Sequence, residues 1–134
     1  MSQENFIRVP YGSSVHGQEE IDAVVNVLKT GTQMSRNVRE FEEKVASLFS
    51  KDHGIMVNSG TSALYLAFEA LNLPKGSEVI TPALTFGTTV ACLIKNGLVP
   101  VFVDVKPNTY CIDETQIESK ITDNTSAIIA PDLM

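Results

Sequence analysis

Apolar residues recur along this chain with two different periods, and the change of period divides it. Ile21, Val24, Val25 and Leu28 share one face of a predicted helix over residues 18–29, which Gly31 stops. A second helix is predicted over about 36–49, with Val38, Phe41, Val45, Leu48 and Phe49 inward and Glu40, Glu42 and Glu43 on a solvated face. From residue 53 short apolar runs alternate with helical patterns. Strands are predicted at 53–57, 78–81, 99–103 and 127–130, and helices at 61–71, 85–96 and 113–121. Such alternation needs crossover connections, so the expected architecture is α/β, a mainly parallel sheet with flanking helices. Pro74-Lys75-Gly76 and Lys95-Asn96-Gly97 read as glycine-assisted helix ends, and Asp113 as an N-cap. Residues 9–14 read as an irregular arm.

The run Val57-Asn58-Ser59-Gly60-Thr61-Ser62-Ala63-Leu64-Tyr65-Leu66 carries the most chemistry. Ile55 to Val57 suit the end of a strand, and Leu64, Ala67, Phe68 and Leu71 then recur at helical spacing. Between them stand a glycine and hydroxyl residues at a helix start. The first four amides of a helix lack an internal acceptor, and the peptide dipoles favour negative charge there. The stretch therefore reads as an anion cradle suited to a phosphate group; simple helix capping by Ser59, Gly60 and Thr61 is the structural alternative.

Composition narrows the class. At 134 residues, 43% hydrophobic and 19% charged, the chain suits one ordinary globular domain. A net charge of −6 without a basic patch argues against nucleic acid. No apolar run reaches the roughly 18 residues of a membrane span, and Met1-Ser2-Gln3-Glu4 lacks signal-peptide character, so a cytoplasmic location and no membrane partner are expected. Cys92 and Cys111 have neither metal spacing nor disulfide density and read as reduced thiols. His16 and His53 have no ligand at metal spacing, so no metal is expected. A Rossmann dinucleotide domain is disfavoured because Asn58-Ser59-Gly60-Thr61 contains no G-x-G-x-x-G.

Five ordered motifs then converge: Val38-Arg39-Glu40-Phe41-Glu42, Asn58 to Leu64, Gly76-Ser77-Glu78-Val79-Ile80-Thr81-Pro82, Leu84-Thr85-Phe86, and Gly97-Leu98-Val99-Pro100-Val101-Phe102-Val103-Asp104-Val105. From about residue 8 onward the chain resembles the DegT/DnrJ/EryC1/StrS family of sugar aminotransferases, which use pyridoxal 5′-phosphate (PLP) on the fold-type-I scaffold. The resemblance implies that Gly60, Thr61 and Ser62 bind the cofactor phosphate and that Phe86 lies flat against the pyridine ring. It implies a structural turn for Asp104. It also places Ser35 where the family usually has a glycine in a loop near the active site, which leaves that loop's substrate contacts open.

The same resemblance implies that the chain is the N-terminal part of the large PLP domain. Residues 1–52 would supply the arm and two helices and residues 53–134 the α/β PLP-binding part of a single partial domain, without the C-terminal part and the small domain. Transamination needs a lysine that holds the cofactor covalently. Lys29, Lys44, Lys51, Lys75, Lys95, Lys106 and Lys120 all fall on predicted solvent faces or turns, so no catalytic residue is assigned and the segment alone is expected to be inactive. The complete protein is expected to use a nucleotide-sugar substrate and an amino-acid donor such as glutamate, and to form a homodimer. Ala130-Pro131-Asp132-Leu133-Met134 departs from the family's usual His-aromatic-small pattern, which keeps a PLP-dependent sugar 3-dehydratase open as an alternative. A non-catalytic phosphate-binding or assembly module is the third reading.

Overall fold

A computed structural model describes residues 7, 9–33 and 36–132. The chain forms two compact units, Met1–Gly54 and Ile55–Met134.

In the first unit, helix α1 spans Gln18–Thr30, one residue longer than its pattern predicts. Its start is closed by a hydrogen bond from the Gly17 amide to Glu20 Oε2 at 2.6 Å, and Glu19 and Glu20 sit where the helix dipole favours anions. The Gly31 amide closes the other end on the Val27 carbonyl. Helix α2 spans Arg36–Leu48, with Lys44 and Glu40 paired at 2.7 Å on its exposed side. Val38 and Val45 are half-buried and Ala46 is buried. Phe41, Leu48 and Phe49, expected inward, are exposed. The chain turns before it can cover them: Ser50 adopts a left-handed conformation, and the Lys51 amide bonds back to the Ala46 carbonyl. Gly54 then passes so close to α2 that a Cβ there would lie 2.6 Å from the Glu42 carbonyl oxygen.

The second unit is the α/β part. Helix α3 covers Gly60–Leu71, strand β1 Glu78–Pro82, helix α4 Gly87–Lys95, strand β2 Val99–Val103 and strand β3 Thr125–Ile128. The three strands form a parallel sheet in the order β2-β1-β3, as the alternating pattern predicts. Val79 of β1 packs with Phe68 of α3 and Cys92 and Leu93 of α4, so both helices cover one face of the sheet. Leu98 completes that cluster, with Leu64, Tyr65, Ala127 and Ile129 around it. Burying such side chains contributes roughly 1.5–3 kcal/mol each before entropy is counted.

The larger departures from the predicted elements in this part of the chain each have a local reason. Residues 53–57 are not a strand, because none of the described strands pairs with them, and Ile55 is exposed. Helix α4 starts at Gly87, since Phe86 keeps an extended ψ of 140° and serves as its N-cap. Residues 113–121 form two 3-10 turns, Glu114–Gln116 and Glu118–Lys120, drawn tight by Asp113, whose carboxylate accepts from Thr115 N, Thr115 Oγ1 and Gln116 Nε2. Strand β3 begins earlier, because the Glu78 carboxylate accepts from Thr122 Oγ1 at 2.6 Å and Thr125 Oγ1 at 3.4 Å and aligns the strand start. The left-handed cap of α3 is Asn72 in place of Gly76, whereas Gly97 follows the α4 cap with φ +75°.

Candidate functional site

The turn before α3 is built from its own side chains. Ser59 is extended at φ −164°, ψ 158°, and its hydroxyl accepts from the Ser62 amide at 3.2 Å. The first helical carbonyl bond runs from the Ala63 amide to the Ser59 carbonyl at 3.0 Å. The amides of Gly60 and Thr61 precede that bond and have no acceptor within the helix. Among the described residues no hydrogen bond is made to the Thr61 hydroxyl either, and Gly60 and Thr61 are exposed. Ser62 is engaged twice more: its hydroxyl donates to Asn58 Oδ1 at 2.6 Å and accepts from Ser59 Oγ at 3.1 Å.

This arrangement fits a phosphate group. Two main-chain amides and one hydroxyl are unspent donors at the positive end of a helix dipole. A Cβ built on Gly60 would meet no atom within 4 Å, so the space before the turn is open. Nothing in this unit's packing requires a glycine at that position.

The topology brings Phe86 to the same edge of the sheet. The twelve residues of α3 run about 18 Å, and β1 returns about 17 Å in the opposite sense. The tip of β1 at Pro82 therefore comes back to the level of Gly60. Asn96, at the far end of α4, donates to the Tyr65 carbonyl in α3. Helix α4 links the parallel strands β1 and β2, so it starts at that same edge, where β1 ends. Phe86 caps α4 there with its side chain in the open, 71% exposed. Beneath the helices, Thr81 at the end of β1 is fully buried, and its hydroxyl has no hydrogen-bond partner among the described residues.

Of the other residues singled out in the sequence, Asp104 closes a turn. Asp104 Oδ1 accepts from the Val105 amide at 2.7 Å, and its carbonyl from the Asp113 amide, closing the hairpin that follows β2. Six of the seven lysines are exposed, and half-buried Lys106 pairs with Glu114. Lys95 sits 4.5 Å from the Tyr65 ring centroid. Burial pushes the Cys92 thiol above its ordinary value, which keeps it protonated and unreactive. His16 and His53 are exposed, and among the described residues no cluster of three or more His, Cys, Asp or Glu could hold a metal. Ser35, Leu133 and Met134 lie outside the described residues. The bond between Asn58 and Ser62 was missed in the sequence. Its signal there is a polar pair four residues apart across a helix start.

Residues 15–134 match the DegT/DnrJ/EryC1/StrS aminotransferase family. The chain is 38% identical over 122 residues to the spore coat polysaccharide biosynthesis protein SpsC of Bacillus subtilis, covering 90% of this chain and 31% of that protein. It is 35% identical over 117 residues to a protein of Streptoalloteichus tenebrarius named for an L-glutamine:3-amino-2,3-dideoxy-scyllo-inosose aminotransferase activity, covering 84% of this chain and 28% of that one. A solved structure of E. coli GDP-4-keto-6-deoxy-D-mannose-3-dehydratase with bound hydrated PLP superposes with a TM-score of 0.86 at 34% identity, covering 94% of this chain and 34% of that one. The chain thus spans about a third of the length of the proteins it matches. No described helix is long and apolar enough to cross a membrane.

Proposed function

The chain belongs to the DegT/DnrJ/EryC1/StrS aminotransferase family, and we propose that it forms the N-terminal part of a PLP-dependent enzyme that aminates a keto group of a nucleotide-linked sugar. The donor in this reading is an amino acid such as glutamate, and the complete protein is a cytoplasmic homodimer. The observation that carries the reading is the pair of unspent amides at Gly60 and Thr61, set at an open helix N-terminus in a chain of this family.

Within that enzyme, residues 1–134 are a single partial domain whose α/β part holds the cofactor. When bound, PLP supplies an electron sink for chemistry at the carbon bearing the amino group. Gly60 and Thr61 take its phosphate through their amides, and Thr61 adds its hydroxyl. Ser62 completes the turn that aims them. Phe86 lays its ring against the pyridine, a contact worth about 0.5–1.5 kcal/mol beyond area burial, and shields that face from water. The chain's own residues thus bind and orient, and none of its lysines occupies a place suited to the proton transfers.

A sugar 3-dehydratase on the same scaffold is the second reading, favoured by the structural match to the E. coli dehydratase. The two part at a residue outside this chain, lysine for transamination and histidine for dehydration. Thr61→Ala and Phe86→Ala, each in the full-length protein, test the shared cofactor site by titration with PLP. Both should weaken binding about tenfold; unchanged affinity in both would remove the site assignment.

A further inference from the structure

The hydrogen bonds around Ser62 leave one residue of the turn with a role that neither the capping motif nor the phosphate reading assigns. Ser62 has one hydroxyl proton, and it goes to Asn58 Oδ1 at 2.6 Å. Its oxygen accepts from Ser59 Oγ at 3.1 Å, and Ser59 Oγ accepts in turn from the Ser62 amide at 3.2 Å. A hydroxyl so engaged offers an incoming anion only lone pairs. The Ser62 side chain therefore acts as a brace, and the donors that face outward are Gly60 N, Thr61 N and Thr61 Oγ1.

Building on the cofactor reading above, we propose that Asn58 is a positioning residue for the phosphate site. Its side-chain carbonyl takes the Ser62 proton and holds the turn closed, and it does so without placing a charge beside a dianion. Aspartate would accept the same proton equally well. It would also set a carboxylate next to the phosphate, where like charges a few ångströms apart repel strongly. The neutral amide at residue 58 is thus the feature that lets the turn be braced and still bind an anion.

The test uses the full-length protein and two ligands, PLP and its phosphate-free analogue pyridoxal. Asn58→Ala should weaken PLP binding roughly three- to tenfold, the scale of one neutral hydrogen bond. Asn58→Asp should weaken it on the order of thirtyfold or more, with part of the loss recovered at high ionic strength, where screening acts on charge and not on shape. Pyridoxal affinity should stay at the parental value in both. Because Asn58 acts through Ser62, Asn58→Ala with Ser62→Ala together should bind PLP no more weakly than the weaker single variant.

Asn58→Asp keeps the acceptor for Ser62, so its melting temperature should match the parent, which separates lost affinity from a folding defect. Parental PLP affinity in Asn58→Asp, a loss insensitive to salt, or additive losses in the double variant would each overturn the positioning role. Thr61→Ala in the same series separates the two ideas. If it weakens PLP but not pyridoxal while the Asn58 variants bind normally, the positioning role alone fails. If it too binds PLP normally and the Gly60 and Thr61 amide signals do not respond to PLP, the phosphate reading itself fails.

Discussion

Asn96 at the end of α4 donates through Nδ2 to the main-chain carbonyl of Tyr65 in the middle of α3, at 3.2 Å, and to the Cys92 carbonyl of its own helix at 2.9 Å. One amide thereby caps the C-terminal end of α4 and ties that end to α3. Asn96→Ala should cost about 0.5–1.5 kcal/mol, the net worth of the lost side-chain hydrogen bonds, because the Cys92 carbonyl keeps the Asn96 main-chain amide. Urea unfolding should show a lower midpoint at unchanged slope; an unchanged midpoint would mean that the tie carries no weight.

Thr81 offers the opposite sign. Its hydroxyl is buried at the end of β1 and makes no hydrogen bond among the described residues. Thr81→Val keeps the shape and removes the orphan, so the protein should gain about 1 kcal/mol. A fall in thermal stability would show that the hydroxyl has a partner in solution.

The two glycines of interest should respond differently to alanine. Gly97 has φ +75°, and a Cβ there would lie 3.3 Å from Lys75 Cγ, so Gly97→Ala should destabilise by about 1–2 kcal/mol. A Cβ on Gly60 meets open space at the first position of a helix, so Gly60→Ala should leave stability unchanged or raise it by up to about 1 kcal/mol. Differential scanning calorimetry on the pair checks both. A cost at Gly60 equal to that at Gly97 would mean that the fold itself, and not a ligand, demands that glycine.

Acid should weaken the loop after β2 and the start of α1 in a predictable window. The Thr115 and Gln116 side chains that donate to Asp113 hold its carboxyl below the ordinary 3.8, and the Gly17 amide holds Glu20 below 4.5. A carboxyl lowered on folding adds stability that is present above its unfolded value and is lost as pH falls through its lower folded value. Denaturation midpoints should be level at pH 6 and decline as pH drops below those ordinary values. Asp113→Asn keeps one acceptor and loses the ionisation, so its decline should be shallower; an identical decline would exclude Asp113 as a contributor.

What the sequence disclosed follows the range of the forces involved. Helix α3, strands β1 and β2 and their parallel order were legible, because local periodicity and the alternation of elements specify them. Residues 53–57 carry a strand's apolar pattern, but a strand exists only through hydrogen bonds to a neighbour, which no local pattern encodes. The outward Phe41 and Phe49 have the same origin: spacing marks a face as apolar without saying what covers it. At the candidate site, a helix start at residues 60–62 and an aromatic at the next helix start could be read directly. The engagement of Ser62 by Asn58 and the orphaned Thr81 hydroxyl depend on side-chain geometry and became visible only in the fold.

In the proposed enzyme, main-chain donors at the start of α3 grip the phosphate of the cofactor. Amide NMR of the full-length protein, labelled at glycine and threonine and titrated with PLP and separately with pyridoxal, reads those donors themselves. The Gly60 and Thr61 amide signals should move with PLP and stay in place with pyridoxal. Signals that ignore PLP, or that respond equally to the phosphate-free ligand, would contradict that grip.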